Sequence, residues 1–417
     1  MRHTDVTLDN CLKCSDCNAA CPVMTAHPRY PGPKHLGPEL EKLRREGLPC
    51  DSEWLEYCLG CERCDMACPN QVNVAELIAR AKAAHKKPLR RRLRDWLLAR
   101  PGLLGQVISL APAVANRVLA LGVVRRLMSL TAGIAAERSF PAYARVKLAG
   151  VHGRSRGAER VVFFQGCSMR YNEQALGRDC IALLAENGIE TEMSEAGCCG
   201  YPALANGDPA EARRRVRANL ELLYQAAENG TPIVTACTSC GQMLKTGFTL
   251  LLGDDPELAA KARVVESAVR DLGEFLIERA DQGHLSLRFG DCGHLGRLAY
   301  HSPCHQATQG LSRPWFHLLR MVPGIEIEDL NAGCCGMAGT FGFKQEKYPV
   351  SLSIGQRLFQ AIAQAAPRQV VSECPTCRMQ ITHGSGVPSV HPATLLVMAY
   401  EQRKVVDGGG GGARLAS

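Results

Sequence analysis

The chain has 417 residues, a formal net charge of +8, 46% hydrophobic and 22% charged residues, which reads as two to four folded domains rather than a disordered polymer. Aromatic residues make up 5%, too few for a platform on which nucleic-acid bases stack, so nucleic acid is not an expected partner. The 21 cysteines are the anomaly: an odd number cannot all pair as disulfides, and thiols at short regular spacing in a reducing compartment read as metal ligands.

The polar opening, Met1 to Asn10, runs straight into Cys11, so export by a leader peptide is not expected. Two internal repeats follow. Cys11, Cys14, Cys17 and Cys21 recur 47 residues later as Cys58, Cys61, Cys64 and Cys68. Cys167, Cys198, Cys199, Cys237 and Cys240 recur at offsets of 136 or 137 as Cys304, Cys334, Cys335, Cys374 and Cys377. These sets use 18 of the 21 cysteines. Cys50, Cys180 and Cys292 remain and read as small buried hydrophobes. The expected map is a ferredoxin block over residues 1–85, a basic and amphipathic helical linker over 86–150, two cysteine-rich modules over 155–285 and 295–400, and a flexible tail over 401–417, where five glycines follow Asp407.

Both quartets read C-x2-C-x2-C-x3-C-P, closing on Pro22 and Pro69. This is the bacterial ferredoxin run. Three cysteines at this spacing wrap one face of an iron–sulfur cube, and the fourth is carried off on a helix that the proline starts. In two-cluster ferredoxins that fourth cysteine ligates the other cluster. Two [4Fe–4S] cubanes are therefore expected, one on Cys11, Cys14, Cys17 and Cys68 and one on Cys58, Cys61, Cys64 and Cys21. Zinc sites bring two pairs across a longer gap and fit poorly. The helical patterns at Gly37–Leu43 and Glu53–Tyr57 favour an α-helical ferredoxin, of the kind found in respiratory iron–sulfur subunits.

Between Arg80 and Arg100 stand nine basic residues (Arg80, Lys82, Lys86, Lys87, Arg90, Arg91, Arg92, Arg94, Arg100) against Asp95, so this stretch alone accounts for the net +8. A local anionic partner such as a lipid surface is expected. The best uncharged run, Pro101 to Asn116, is 16 residues, short of the about 20 that span a bilayer. Trp96 and the apolar helical stretches Leu103–Leu110 and Val114–Met128 instead suit a helix lying in the membrane interface. The alternative is packing on a partner protein or on the α/β core.

In each long module two apolar runs end at cysteines: Val161–Cys167 and Pro232–Cys237, then Leu298–Cys304 and Gln369–Cys374. They read as buried strands, with helical patterns such as Ala210–Ala227 and Leu352–Ala365 between them. Alternation of this kind implies a parallel α/β sheet whose carboxyl edge gathers the cysteines. Gly197-Cys198-Cys199-Gly200 and Gly333-Cys334-Cys335-Gly336 put two thiols on a very tight turn. Five thiols exceed the four a cube needs, and the fifth is left to bridge irons, to serve a distorted cluster, or to stay free.

One cysteine, then a CCG, then C-x2-C resembles the CCG superfamily, which includes the B and D chains of heterodisulfide reductase and the glycolate oxidase iron–sulfur subunit. Over roughly residues 5–400 the chain resembles the C-type, iron–sulfur subunits of anaerobic glycerol-3-phosphate dehydrogenase. Tyr30-Pro31-Gly32-Pro33-Lys34, Tyr300-His301-Ser302-Pro303-Cys304-His305 and Cys334 to Lys344 carry that resemblance. It implies an α+β multidomain protein, an N-terminal α-helical two-cluster ferredoxin domain followed by two tandem α/β CCG domains. It also implies two partners, of A and B type and flavin-bearing, that oxidise glycerol 3-phosphate. This chain would pass the electrons through iron–sulfur clusters to menaquinone, as a peripheral protein on the cytoplasmic face of the inner membrane. In the heterodisulfide reductase relatives CCG modules bind noncubane [4Fe–4S] clusters. Carried over, one or two further clusters fall to Cys167, Cys198, Cys199, Cys237 and Cys240 and to Cys304, Cys334, Cys335, Cys374 and Cys377, with zinc or no metal left open. The competing readings are a CCG-cluster disulfide or heterodisulfide reductase and the iron–sulfur subunit of a glycolate or lactate oxidase. No G-x-G-x-x-G is present, so no flavin or nicotinamide site is evident, and the chain alone is not expected to dehydrogenate a substrate. His301 and His305 flank Cys304 and read either as structural residues or as groups that tune a cluster or contact quinone.

Overall fold

A computed structural model describes residues 8–146, 152–153 and 159–407, and the glycines expected in the tail lie outside them. Up to residue 146 the described chain is helix and loop, apart from one isolated bridge between Ile134 and Lys344. The ferredoxin block ends on α1 (Val74–Ala84), whose Val74, Leu77, Ile78 and Ala81 form one buried stripe at helical spacing. Four helices follow: α2 (Leu89–Leu98), α3 (Pro101–Ile108), α4 (Pro112–Ala120) and α5 (Gly122–Ala132). Pro101 and Pro112 stand at first helical positions, where a missing N–H costs nothing. The stretch expected to run from Val114 to Met128 is broken at Leu121, whose backbone is extended (φ −68°, ψ 125°), because Gly122 begins a new helix rather than lying inside one.

The two modules are α/β units with one topology. The first has β1 (His152–Gly153), β2 (Arg160–Phe163), β3 (Glu190–Met193), β4 (Ile233–Thr235) and β5 (Val269–Asp271), in sheet order β1-β3-β2-β4-β5. The second has β6 (Arg297–Tyr300), β7 (Glu326–Asp329), β8 (Gln369–Val371) and β9 (Ser389–Val390), in order β7-β6-β8-β9. All pairs are parallel except the antiparallel edge β1–β3. Their cores merge: Phe163, Leu183 and Leu276 of the first pack in one cluster with Tyr300, Trp315 and Leu396 of the second. The last helix, Pro392–Asp407, runs into the first residues of the expected tail and is tied to the first module by Arg403–Glu186 at 2.9 Å.

The basic stretch is not the free cationic surface its composition suggests. Arg94 is buried, donating to both carboxylate oxygens of Glu346 at 2.8 Å and to Asp95 Oδ1 at 3.0 Å. Asp95 also accepts from Lys87 at 3.0 Å and pairs with Lys344 at 2.9 Å. Lys347 reaches Glu56 Oε2 at 3.2 Å. Burial opposes ionisation of Asp95, yet Lys344, Lys87 and Arg94 outweigh it and hold its carboxyl at about 2. Lys82 donates to the Cys58 carbonyl, Arg100 to Asp208 at 2.9 Å, and Arg90 to the Ser129 and Thr131 carbonyls at the end of α5. The exposed cations Lys86, Arg91 and Arg92 make no ion pair among the described residues. Apart from Asp95, the acids involved lie outside the stretch (Glu56, Asp208, Glu346), so local composition overstates the charge offered to a partner.

Candidate metal centres

The two ferredoxin runs share a backbone as well as a spacing. Lys13 and Ser15 have φ of +59° and +80°, and their counterparts 47 residues on, Gly60 and Glu62, have +65° and +57°. Such left-handed residues turn successive N–H groups toward a common concavity, which suits an anionic group. Cys11, Cys14, Cys17 and Cys68 line one small cavity with Pro38 and Val72. Cys58, Cys61, Cys64 and Cys21 line a second with Tyr30, Pro33 and Ile78. The fourth cysteine of each run thus lies with the first three of the other. The segment Tyr30–Lys34 runs between them: Lys34 donates its backbone N–H to Asn18 at 2.9 Å and its ammonium to Ser15 at 3.1 Å. Burial, with the negative charge Cys58 and Cys334 would carry, pushes the Cys21 thiol up to about 11. Thiols so buried ionise readily only beside a metal cation, which is the chemistry of a cluster ligand.

The module cysteines stand at the carboxyl ends of the central parallel strands, where such sheets bind ligands. Cys167 and Cys304 open short helices after β2 and β6, and Cys237 and Cys374 directly precede helices after β4 and β8. The CCG turns close at Gly200 (φ +96°) and Gly336 (φ +85°). A Cβ on Gly336 would lie 2.1 Å from the Ser351 carbonyl oxygen, and one on Gly200 would lie 3.1 Å from that of Ala212. Glycine is therefore needed both for the φ and for the approach of the following helix. Asn219 braces the first turn, donating to the Cys198 carbonyl and accepting from the Gly197 N–H, each at 3.0 Å. In both modules the first cysteine of the pair is the one whose thiol is pushed well down, Cys198 by the neighbouring thiols of Cys167 and Cys199 and Cys334 by those of Cys304 and Cys335. Cys335 and Cys377 sulfurs lie 3.2 Å apart. His301, Cys335 and Cys377 each place a donor atom within 4.8 Å of the others. Burial pushes the His301 imidazole down to about 4, so it is neutral.

The sites adjoin one another. The cavity that holds Cys304, Cys334, Cys335, Cys374 and Cys377 is also lined by Cys61 of the ferredoxin block and by Ser239 of the first module. His305 bridges the blocks: its ring lies 3.2 Å from the Gly60 carbonyl through Nε2 and 3.0 Å from Ser239 Oγ through Nδ1. Donation by Nε2–H to Gly60 and acceptance by Nδ1 from Ser239 fits one neutral tautomer. Tyr201, which sequence reasoning did not single out, packs edge-on against His305 at 4.7 Å and donates to the same carbonyl at 2.9 Å. Its only sequence signal is its place directly after the first CCG. On the far side, Gly102 of α3 backs onto Cys198, where a Cβ would come within 4.0 Å of the cysteine Cβ. Among the remaining cysteines Cys180 and Cys292 are fully buried, as expected, while Cys50 is only partly so.

The profile of the 4Fe-4S dicluster domain matches residues 7–72, and that of the CCG cysteine-rich domain matches residues 161–245 and 298–382. The C-type subunit of the anaerobic glycerol-3-phosphate dehydrogenase of Escherichia coli K12 is 35% identical over 403 residues, covering 95% of this chain and 99% of that one. The D-type subunit of the dihydromethanophenazine:CoB–CoM heterodisulfide reductase of Methanosarcina barkeri is 24% identical over 235 residues, 54% of each chain. In fold, a hypothetical protein from Helicobacter pylori superposes with a TM-score of 0.52 at 11% identity, covering 98% of this chain and 74% of that one. With both domain types in the same order and identity running the length of the chain, the protein belongs to the family of C-type, iron–sulfur subunits of anaerobic glycerol-3-phosphate dehydrogenase.

Proposed function

We propose that this chain is the iron–sulfur electron-transfer subunit of a quinone-linked anaerobic glycerol-3-phosphate dehydrogenase. It takes electrons from flavin-bearing A- and B-type partners and delivers them to menaquinone. Two [4Fe–4S] cubanes sit on the crossed ferredoxin quartets, and each module binds a further cluster through its five cysteines. The observation that carries this reading is the shared wall: Cys61 lines the same cavity as the five cysteines of the second module, which supports electron passage from the ferredoxin block to that module. A cysteine-rich site that reduced a disulfide itself would have to admit its substrate. Here Cys335, Cys374 and Cys377 are each about 5% exposed or less, under Tyr201 and His305, which favours a relay.

The membrane reading rests on helices α2–α5. Leu89, Leu110 and Val123 are each 78% exposed and Leu130 is 76%, an apolar surface unusual for a lone soluble domain. Among the described residues no single helix is long and apolar enough to cross a membrane; α3 and α4 together have the length and composition, but are bent by 111°. An interfacial seat on the cytoplasmic leaflet, with α3 between lipid and Cys198, would set the first module nearest the quinone. Reconstitution tests the whole: the anaerobically purified chain alone should not oxidise glycerol 3-phosphate, and added to its flavin-bearing partners it should confer reduction of a menaquinone analogue. Oxidation by the chain alone, or no gain on adding it, overturns the division of labour.

A further inference from the structure

The two modules share a topology but not the chemistry behind their cysteines. Phe164 and His301 are structural counterparts: each lies three residues before the first cysteine of its module, and each donates its backbone N–H to the neighbouring strand, to Val234 at 2.8 Å and to Val371 at 2.9 Å. Phe163 and Ala236, at the same offset of 137, correspond to Tyr300 and Glu373. At these two positions the first module is apolar, whereas the second holds a polar group, with Tyr300 donating to Glu373 at 2.5 Å and Gln306 donating to it at 2.8 Å.

His301 stands apart from that polar group. It is 2% exposed, and its Nε2 is buried without a hydrogen-bond partner among the described residues. An unpartnered buried polar atom costs free energy, and native proteins seldom leave one without a ligand or a task. The imidazole shares with Cys335 and Cys377 a space in which all three donor atoms lie within 4.8 Å, a spacing that suits one metal centre. Its nitrogens are not required by the fold, since Phe164 fills the equivalent place with a ring that has no polar atom.

We propose that His301 is a nitrogen ligand, through Nε2, of the iron–sulfur group in the second module, and that Phe164 denies the first module this donor. The proposal rests on the reading that the second module binds iron. Imidazole in place of thiolate removes negative charge from a cluster and raises its potential, as in Rieske centres. The two modules would then hold electrons at different potentials despite identical cysteine sets, the higher beside Cys61.

The test uses the full chain purified anaerobically, prepared with natural-abundance histidine and with 15N-histidine, and reduced stepwise for pulsed EPR. One cluster signal should show the strong coupling of a directly bonded histidine nitrogen, changing with the isotope. The coupling should vanish in His301→Phe, where the potential of that signal should fall, and persist in His305→Gln. If His301→Phe does not load, the isotope comparison in the unaltered chain still decides. No histidine coupling, only the weak coupling of an unbonded imidazole, or a strong coupling that survives in His301→Phe overturns the proposal. Iron analysis of the Cys335→Ser/Cys377→Ser chain separates the two readings. Unchanged iron means the second module holds none and both fail; iron lost from this variant, with no nitrogen coupling in the parent, sinks the ligand assignment alone.

Discussion

Arg94 and Glu346 are 252 residues apart in sequence and joined in the fold by two parallel hydrogen bonds of 2.8 Å. The pair fastens the helical segment after the ferredoxin block to the second module, beside the bond from Ala135 N–H to the Phe343 carbonyl at 2.8 Å. Because Arg94 is 2% exposed, removing its partner strands a buried charge. Glu346→Gln should destabilise the chain by roughly 3–5 kcal/mol, and Arg94→Gln with Glu346→Gln by less than the sum of the single changes. Denaturant unfolding of the four proteins, followed by tryptophan fluorescence, checks both expectations.

Surface charge behaves differently. Arg91 and Arg92 are exposed and make no ion pair among the described residues, so replacing both with Gln should change stability by no more than about 0.5 kcal/mol. Each basic residue near an anionic bilayer is worth about 1 kcal/mol at low salt. The double variant should therefore lose vesicle binding at low ionic strength and keep its iron. Val123→Ser with Leu130→Ser should instead lower the part of the binding that survives high salt. Co-sedimentation with anionic vesicles across a salt series measures both, and unchanged binding in every variant would assign this face to a partner protein.

The same ionic network sets an acid limb to stability. The Asp95 carboxyl is held at about 2 in the fold, below its ordinary value, and Glu56 is held well below its own, in each case by lysines that outweigh burial. A depressed carboxyl contributes its stability above the unfolded value, near 4, and loses it as pH falls toward the folded value. Asp95 alone should contribute on the order of 2 kcal/mol at neutral pH, lost between about pH 4 and 2. Melting temperature against pH should fall steeply in that window for the parent chain and less steeply for Asp95→Asn.

What could be read before the fold was known was what depends on spacing. The 47-residue and 137-residue repeats placed the cysteines, and apolar runs ending at Cys167, Cys237, Cys304 and Cys374 placed them at strand ends. What could not be read depends on long-range partners. The +8 stretch reads as a cationic patch open to an anionic partner because Glu56, Asp208 and Glu346 are distant in sequence, and only the folded chain brings them to Lys87, Arg100 and Arg94. Leu121 breaks a helix that hydrophobic periodicity carries through, because periodicity registers which face is apolar and not where a glycine begins a new turn. His301 lay in view beside Cys304, and aligning the repeats sets Phe164 opposite it, but its unpartnered nitrogen shows only in the fold.

The CCG turns should differ in tolerance. Alanine at position 336 would set a Cβ 2.1 Å from a backbone oxygen of Ser351, which cannot yield, and would hold a non-glycine residue at φ +85°. At position 200 the contact with Ala212 is 3.1 Å, which a few tenths of an ångström of movement relieves. Gly336→Ala should cost roughly 2–5 kcal/mol, overpacking and strained φ together, and lower the iron bound by the second module. Gly200→Ala should cost less and retain more iron. Iron and acid-labile sulfide analysis beside thermal unfolding ranks the two.

The crossing of the ferredoxin quartets gives the sharpest test of ligand assignment. Cys68 is sequence-adjacent to the second run but lines the cavity of Cys11, Cys14 and Cys17, and Cys21 lines that of Cys58, Cys61 and Cys64. Cys68→Ser should therefore alter the EPR signal of the cluster that Cys14→Ser alters. Cys21→Ser should alter the one that Cys61→Ser alters. The second pair should also perturb the nearest module, because Cys61 lines the cavity of Cys304 and Cys334, whereas the first pair should leave the modules unchanged. With all four sites filled the parent should carry about 16 irons, and each single variant should lose no more than about four. If Cys68→Ser instead reproduces the spectrum of Cys61→Ser, each run binds its own cluster, and the relay through Cys61 has to be redrawn.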